Sequence, residues 1–275
     1  MQRITSTEHT YVKQLVKLQK SARFRRKSGV TILDGIHLIQ SYLSAYHVPS
    51  GLKSLVISES GQKNKEITAI QEACSRHHET QFYFATDNLF QKISSVKTPT
   101  GILACVAIPE PDNPFILANN CPNFCILLET IQDPGNLGTI IRCAAAADIT
   151  DIFLSQDCVD AWSPKVLRAA MGAHFFLNIY ADCNLVEIAN CIQGQVLATS
   201  PYASRTLYQM NLNNAAAFIF GNEGTGLSNE ILHAADEIIS IPMPGKTESL
   251  NAAAATAICL FEKVRQDQQV YHSES

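Results

Sequence analysis

Hydrophobic residues recur along the chain with two different periods. Segments with apolar residues at every third or fourth position, typical of amphipathic helices, alternate with short runs of β-branched and aromatic residues, typical of strands. In the first part of the chain this pattern predicts helices at 8–20, 36–45, 65–76 and 89–93 and strands at 30–33, 52–57, 81–85 and 101–107. Alternation of strands and helices is typical of a small α/β module.

The alternation pauses once and then resumes. Residues 109–123 hold four prolines and four asparagines, a composition typical of an interdomain linker. Beyond them the pattern predicts strands at 124–130, 151–154, 176–180, 195–199, 217–220 and 238–242 and helices at 137–147, 165–171 and 250–266. We therefore predict an α/β protein with an N-terminal α/β module at 1–108, a linker at 109–123, a C-terminal α/β domain at 124–266 and a polar tail at 267–275.

Composition narrows the class of protein. Hydrophobic residues make up 46% of the chain and charged residues 17%, as in globular proteins with apolar cores. No apolar run predicts a signal peptide or a membrane span. The nine cysteines lack the spacing of a disulfide framework or a metal site. We therefore expect a soluble cytoplasmic protein with free thiols and no bound metal.

Basic residues are concentrated in the first part of the chain. Residues 1–108 carry 14 lysines and arginines against 7 acidic residues, whereas residues 109–275 carry 7 against 18. The densest basic cluster follows the first predicted helix and consists of Arg23, Arg25, Arg26 and Lys27. Such a cluster predicts contact with a polyanion such as RNA. A solvated helix face is the alternative interpretation of the same charges.

The first candidate for chemistry is the loop that opens the predicted helix 137–147. Asn136 stands where it can cap that helix. Arg142 is the only charged residue within the helix, which is otherwise so apolar that the pattern predicts a buried helix. A buried guanidinium needs an anion, and either a ligand or an ion pair with Asp133 or Asp148 would supply one.

The second candidate is the glycine-rich loop Gly221-Asn222-Glu223-Gly224-Thr225-Gly226-Leu227, which follows a predicted strand. Ligands bind at the carboxyl ends of strands in open α/β sheets, so Glu223 would present a carboxylate to such a ligand. The spacing G-x-x-G-x-G differs from the dinucleotide-binding G-x-G-x-x-G, which argues against a nicotinamide-dependent oxidoreductase. A solvated glutamate in a tight turn is the alternative.

The third candidate is the segment that leads into the alanine-rich C-terminal helix. Ser249 can serve as the N-cap of that helix. Asn251 lies two residues further on, where an asparagine is disfavoured inside a helix, and capping by Ser249 leaves it unexplained.

Taken in order, these segments resemble a known set of motifs. The patterns D-P-x-N-x-G-x-x-x-R, G-N-E-G-x-G-L and I-P-M-x-G-x-x-E-S-L-N, spread over residues 133–251, are similar to the three signature motifs of the SpoU/TrmH-type RNA methyltransferases of the SPOUT superfamily. The segment Ser163–Ala173 resembles a further family segment. Residues Arg23–Leu43 resemble the substrate-binding module that often precedes this domain.

The resemblance implies a fold, a cofactor and an assembly. The fold is a small N-terminal α/β RNA-binding module followed by an α/β SPOUT domain whose C-terminal portion forms a trefoil knot. The cofactor is S-adenosyl-L-methionine, and the active protein is a homodimer in which both subunits complete each site. The family's cofactor-binding positions correspond to Thr199, Gly221, Ile241, Met243 and Leu250.

The resemblance also assigns roles in a methyl transfer to a ribose 2′-hydroxyl. Arg142 is expected at this hydroxyl and its neighbouring phosphate, either as a clamp on a phosphate that takes the proton or as the base itself. Asn136 and Glu223 are expected to orient Arg142 and the ribose, and Ser249 and Asn251 to shape the site. The family pattern after Asn251 often continues V-S, whereas Ala252 and Ala253 stand here, which removes one hydroxyl.

The fused basic module favours ribosomal RNA over transfer RNA as the substrate. Two alternatives stand beside this interpretation: the same activity on transfer RNA, and a non-catalytic RNA-binding relative that acts in ribosome assembly. The retained asparagine, arginine, glutamate and serine of the three motifs favour an enzyme.

Overall fold

The structure is a computed structural model that describes residues 2–46, 51–76, 80–111 and 124–273. The chain divides into two compact units: Met1–Glu110 with Trp162–Phe175, and Pro111–Ala161 with Phe176–Ser275. The segment Trp162–Phe175 therefore groups with the first unit although it lies within the predicted C-terminal domain. The predicted linker lies outside the described residues from 112 onwards, and the boundaries predicted for the domains stay a prediction.

The first unit is built on a five-stranded mixed sheet with helices packed around it. In the described residues the sheet has the order β1-β4-β3-β5-β2, and only β5 runs antiparallel to its neighbours. The strands are β1 (Gln2–Ile4), β2 (Val30–Asp34), β3 (Leu52–Ser58), β4 (Gln81–Ala85) and β5 (Ile102–Ala107). The helices that precede the predicted linker are α1 (Thr10–Lys20), α2 (Ala22–Ser28), α3 (Ile36–Ala45), α4 (Lys65–Ser75) and α5 (Asp87–Ile93).

The core of this unit lies between α1 and the sheet. The apolar face of α1, formed by Val12, Leu15 and Leu18, is buried in one cluster with Val56 of β3 and Leu103 of β5. The predicted periodicity of this helix is therefore confirmed, because its apolar positions are the ones that meet the sheet.

One residue of the predicted RNA-binding cluster is a structural residue. Arg25 is only 4% exposed, and its guanidinium donates to the main-chain carbonyls of Leu18, at the end of α1, and Gln19. The last carbonyls of a helix lack partners within the helix, so a buried arginine that satisfies them joins α1 to α2. The prediction that Arg25 contacts RNA is wrong for this reason, whereas Arg23, Arg26 and Lys27 are exposed.

The second unit is built on a seven-stranded parallel sheet. Among the described residues its order is β10-β12-β9-β11-β6-β7-β8. The strands are β6 (Cys125–Leu128), β7 (Asp151–Ser155), β8 (Asn178–Cys183), β9 (Gln195–Thr199), β10 (Arg205–Thr206), β11 (Ala215–Phe220) and β12 (Glu237–Ser240). The interior strand β6 is buried at every position, which is why its sequence is a continuous apolar run and not an alternating one. The predicted combination of an N-terminal α/β module and a C-terminal α/β sheet is confirmed.

Helices cover this sheet and join its strands. They are α6 (Pro134–Ala146), α8 (Leu185–Cys191), α9 (Asn229–Ala234) and α10 (Ala252–Ser273), while α7 (Pro164–Ala169) groups with the first unit. Within the described ranges, no helix is both long and apolar enough to cross a membrane.

The order of the strands brings the three motifs to one edge of the sheet. The first motif follows β6, the second follows β11 and the third follows β12, while Thr199 ends β9. These four strands are neighbours and run parallel, so their carboxyl ends lie side by side. Segments more than 100 residues apart in the chain therefore meet at the edge where α/β sheets bind ligands.

Candidate active site

Backbone and side-chain hydrogen bonds join the first two motif loops. The amide of Glu129 donates to the carbonyl of Phe220 at 2.9 Å. The side chain of Asn222 donates to the carbonyl of Thr130 at 2.9 Å, and its Oδ1 accepts from the amides of Gly224 at 2.8 Å and Thr225 at 3.2 Å. One asparagine thus closes its own glycine-rich turn and ties that turn to the neighbouring strand end.

The carboxylate of Glu129 makes a second connection between the same loops. It accepts from the amide and the hydroxyl of Ser228, both at 2.7 Å, and Ser228 in turn caps α9. Glu129 is not one of the predicted site residues. Its position directly after a buried strand and before the first motif is the signal that could have indicated it.

The glycine-rich turn depends on a close approach of two backbone segments. A Cβ atom at Gly221 would lie 2.6 Å from the carbonyl carbon of Gly226, closer than real Cβ atoms come to backbone. Gly226 itself has a positive φ of 69°. Any side chain at Gly221 would therefore open the turn that presents Glu223.

The residues that cap α6 and α10 differ from the predicted ones. Asn136 does not cap α6, so its side chain takes part in the site instead. Asp133, not Asn136, caps α6: its carboxylate accepts from the amide of Asn136 at 2.8 Å. Asn251, not Ser249, caps α10: its Oδ1 accepts from the amides of Ala253 at 3.0 Å and Ala254 at 3.2 Å. Both capping predictions were wrong because each helix begins at a different residue from the one that the pattern indicated.

Three predicted site residues form one hydrogen-bonded chain. The Nδ2 of Asn251 donates to the Oδ1 of Asn136 at 2.8 Å, and the Nδ2 of Asn136 donates to the carboxylate of Glu223. The direction of this chain is determined at its first member. Because the Oδ1 of Asn251 accepts from helix amides, its NH2 group faces Asn136, which must then turn its own NH2 group to Glu223. The N-terminus of α10 thereby orients the carboxylate of the second motif.

Arg142 lies on the surface of α6, contrary to the predicted burial. The buried face of the helix is formed by Leu137, Ile140, Ile141 and Ala144, whereas Arg142 is exposed. The pattern was misleading because alanine is apolar but small, so an alanine-rich face does not have to be buried. The predicted alternative of an ion pair with Asp133 or Asp148 is absent among the residues that the structure describes.

All five predicted cofactor positions line a single cleft of about 460 Å³ at the carboxyl edge of the second sheet. Its walls combine apolar side chains with hydroxyl, carboxylate and backbone groups from the loops after β9, β11 and β12. The predicted cofactor positions among its lining residues are Thr199, Gly221, Ile241, Met243 and Leu250. A cleft of this size and mixed lining suits a nucleoside-sized ligand.

The other predicted residues divide between the cleft and its surroundings. Glu223 and Ser249 line the cleft, whereas Asn136, Asn251 and Arg142 do not. Asn136 and Asn251 reach it through the hydrogen bond to Glu223. In the described part of the chain, no group of three or more His, Cys, Asp or Glu side chains has the arrangement of a metal site.

Comparison with known proteins gives a consistent picture. Residues 123–261 match the SpoU rRNA Methylase family, and residues 9–104 match the MRM3-like substrate binding domain. An uncharacterized tRNA/rRNA methyltransferase of Synechocystis is 32% identical, over 96% of this chain and 93% of that protein. The 23S rRNA (guanosine(2553)-2′-O)-methyltransferase of Bacillus subtilis is 29% identical, over 95% of this chain and 98% of that protein.

The fold is also similar to solved structures. The structure of an AdoMet-bound rRNA methyltransferase from Sinorhizobium meliloti has a TM-score of 0.81 and 25% identity, and the match covers 96% of this chain and 97% of the other.

The hydrogen-bonded chain can be tested through its charge. Asn136→Asp replaces the donor to Glu223 by a second carboxylate, and like charges at this distance repel. We expect the melting temperature at pH 7 to fall by about 2–4 °C, which corresponds to about 1 kcal/mol in a domain of this size. Lowering the pH to 5 should recover part of the loss, because the repulsion raises the pKa of the pair and one carboxyl then takes up a proton.

The matched control is Asn213→Asp, which adds the same charge at an exposed asparagine outside the cleft. An equal loss in both variants, or a loss that does not change with pH, would show that Asn136 does not donate to a carboxylate.

Proposed function

Because the chain belongs to the SpoU rRNA methylase family, we propose that it transfers a methyl group from S-adenosyl-L-methionine to a ribose 2′-hydroxyl of ribosomal RNA. The observation that carries this proposal is the chain Asn251–Asn136–Glu223, which joins all three motifs beside the cleft. Ribosomal RNA is supported over transfer RNA by the matched family and by the Bacillus subtilis relative. The same substrate favours a cytoplasmic protein.

The cleft fits the proposed cofactor. Ile241, Met243 and Leu250 offer apolar surface, while Thr199 and the backbone around Gly221 offer polar groups. This combination suits a ligand with an adenosine and an aliphatic sulfonium chain, and the Sinorhizobium meliloti neighbour was solved with AdoMet bound. When bound, S-adenosyl-L-methionine supplies a methyl group already activated by the sulfonium.

The residues of this chain then have two tasks, to align the ribose and to remove its proton. The exposed guanidinium of Arg142, which has no ion-pair partner among the described residues, is suited to clamp the phosphate beside the reacting hydroxyl. An arginine is a poor base because its guanidinium stays protonated. The proton of the hydroxyl would therefore pass to a phosphate oxygen as the O–CH3 bond forms and the bond between the methyl group and the sulfur breaks, which leaves S-adenosylhomocysteine. Arg142 acting as the base is the alternative.

Glu223 and Asn136 hold the ribose side of this arrangement. Glu223 faces the cleft, and one of its carboxylate oxygens is engaged by Asn136. The carboxylate can therefore accept from a ribose hydroxyl while Asn136 and Asn251 keep it in place, which is the preorganisation that aligned reactions require. Ser249 lines the same cleft and offers a hydroxyl there.

A second candidate function is RNA binding without catalysis, in ribosome assembly. The exposure of Arg142 is compatible with it, since an exposed arginine binds phosphate in either case. The closed hydrogen-bond chain onto Glu223 favours the enzyme, because holding a carboxylate at the cleft serves no purpose in binding a polyanion.

The proposal includes a homodimer. Phe261 of α10 is 46% exposed, and Ala146 of the neighbouring α6 and Ala254 of α10 are exposed as well. A second copy of the chain would cover these apolar side chains and place a further surface near Arg142.

The trefoil knot of the family is part of the same proposal. It is supported by the position of β12, which is the last strand along the described chain and lies between β10 and β9 in the sheet.

The dimer can be tested by Phe261→Glu. Because a charged side chain cannot be buried without a partner, we expect sedimentation velocity to give a dimer for the unchanged chain and a monomer for this variant. Tyr208→Glu is the control, since Tyr208 is 57% exposed in a short turn after β10 and should leave the dimer intact. A monomeric unchanged chain, or a dimeric Phe261→Glu variant, would contradict the proposal.

The catalytic role of Arg142 can be tested by Arg142→Ala. The side chain is exposed and unpaired among the described residues, so we expect the melting temperature to stay within about 1 °C. Cofactor binding, measured by calorimetry, should persist because Arg142 does not line the cleft. Methyl transfer from tritium-labelled donor should fall at least about 100-fold, as it does when a preorganised charge is removed.

The control is Arg76→Ala, at an exposed arginine that follows α4 in the first unit. Near-normal transfer by a folded, cofactor-binding Arg142→Ala variant would contradict the assigned role.

The basic cluster can be tested by separating its exposed and buried members. We expect Arg23→Glu with Arg26→Glu to weaken RNA binding and reduce the slope of log K against log salt, with little change in melting temperature. Arg25→Ala should instead lower the melting temperature and leave the salt slope unchanged, because it leaves the carbonyls of Leu18 and Gln19 unsatisfied. Unchanged salt dependence in the double variant would indicate that Arg23 and Arg26 belong to a solvated helix face and do not contact RNA.

A further inference from the structure

The segment Trp162–Phe175, which contains the family-like stretch Ser163–Ala173, does not line the cleft. It is held against the first unit at defined points. The buried hydroxyl of Thr31 in β2 donates to the carbonyl of Trp162 at 2.6 Å. Gly172 lies so close to α3 that a Cβ atom there would be 2.5 Å from the Cβ of Ser41. The position of α7 on the first unit is therefore narrowly defined.

A buried carboxylate holds one side chain of α7 through a serine. Asp34, at the carboxyl end of β2, is 5% exposed, and its Oδ2 accepts from the hydroxyl of Ser94 at 2.9 Å and from the amide and hydroxyl of Ser95 at 2.6 and 2.8 Å. Because the hydroxyl of Ser95 donates its proton to Asp34, its oxygen is left to accept. It accepts from the guanidinium of Arg168 at 2.5 Å.

The charge of Asp34 is incompletely balanced by this arrangement. Its Oδ1 is buried and has no hydrogen-bond partner among the described residues. A buried carboxylate favours a nearby cation. The positive group that its hydrogen bonds reach is Arg168, so the arrangement fixes where that guanidinium points.

Arg168 differs from an arginine that only ties the fold together. Arg25 provides the comparison within the same unit, since it is 4% exposed and its guanidinium donates to two main-chain carbonyls. Arg168 is partly exposed and has one bond to a serine, and no carboxylate in the described ranges pairs with it directly. The rest of its donor fork is therefore available to an external acceptor.

The surroundings of Arg168 favour an anion. Asp34 and Ser95 lie at the carboxyl edge of the first sheet, where the parallel strands β2, β3 and β4 end. Of the other acidic groups that follow these strands, Glu59 pairs with Arg3 and Asp87 accepts from Ser60. The exposed lysines of the same edge are Lys63, Lys92 and Lys97.

We propose that Arg168 binds a backbone phosphate of the RNA at this edge of the first unit, with Ser95 and Asp34 as its positioning residues. A guanidinium held from behind presents its fork to a phosphate in a fixed orientation, so less freedom is lost on binding. The proposal deepens the proposed function, since it rests on RNA as the substrate, and it adds a contact separate from the exposed arginines around α2.

The test measures binding of the full-length chain to a fluorescent single-stranded dodecauridylate over a range of salt concentrations. A phosphate contact is independent of base sequence, so this probe is sufficient. We expect Arg168→Gln to weaken binding about tenfold and to reduce the slope of log K against log salt by about 0.7. Ser95→Ala and Arg168→Lys should weaken binding but keep the slope, because the charge remains and only its orientation is lost.

The control is Arg76→Gln, at an exposed arginine that precedes β4 at the opposite edge of the sheet, and it should change neither quantity. Methyl transfer by Arg168→Gln should show a raised KM for RNA at an unchanged kcat, with cofactor binding unaffected. A salt slope equal to that of the unchanged chain would overturn the proposal, whether or not the melting temperature falls. A slope that falls equally in Arg76→Gln would overturn it too.

The same experiment separates this site from the proposed activity. Salt-dependent binding that decreases in Arg168→Gln supports the phosphate site even if the chain transfers no methyl group. Absence of RNA binding by the unchanged chain would overturn both.

Discussion

The hydrogen bonds that Asn251 makes in two directions hold the candidate site of the second unit together. Its carbonyl oxygen satisfies the first amides of α10, which would otherwise lack partners, and this leaves its NH2 group to donate to Asn136. The Nδ2 of Asn136 in turn donates to the carboxylate of Glu223. Because Asn251 caps α10 with its oxygen, Asn136 must accept from Asn251 through its own oxygen and donate to Glu223 through its NH2 group. The carboxylate of Glu223 is thereby held in one place at the cleft.

The parallel sheet makes this chain of hydrogen bonds possible. β12, β9, β11 and β6 are neighbours, so their carboxyl ends present the three motif loops side by side. Asn222 and Glu129 then bond the loops to each other directly. The loops of the site are consequently anchored to neighbouring strands and to each other.

Three arginines show how one side chain serves different purposes in the two units. Arg25 was expected on the surface and is buried, because the carbonyls at the end of α1 need a donor. Arg142 was expected in the interior and is exposed, because Thr139, Ala145 and Ala146, which share its face of α6, are small and not large apolar residues. Arg168 is partly exposed but held by Ser95. The neighbours of an arginine in space, and not the hydropathy of its neighbours in sequence, decide between these outcomes.

Much of the fold, and the meeting of the three motifs at one edge of the second sheet, could be predicted from the sequence alone. The bounds of α3, β4 and β9 agree with the predicted segments 36–45, 81–85 and 195–199, because each is an apolar segment that begins directly after a turn-forming or polar residue. The motif residues indicated the cleft, since the spacing of glycine, carboxylate and amide groups reflects local chemistry. Short or edge elements were not predicted, because too few residues carry a period: β1, α2, α8, α9 and β10. Tertiary structure alone decided which residues cap α6 and α10, which arginines are buried, and that α7 groups with the first unit. These outcomes depend on groups brought together from distant parts of the chain, and a hydrogen bond to a distant partner leaves no pattern in the local sequence.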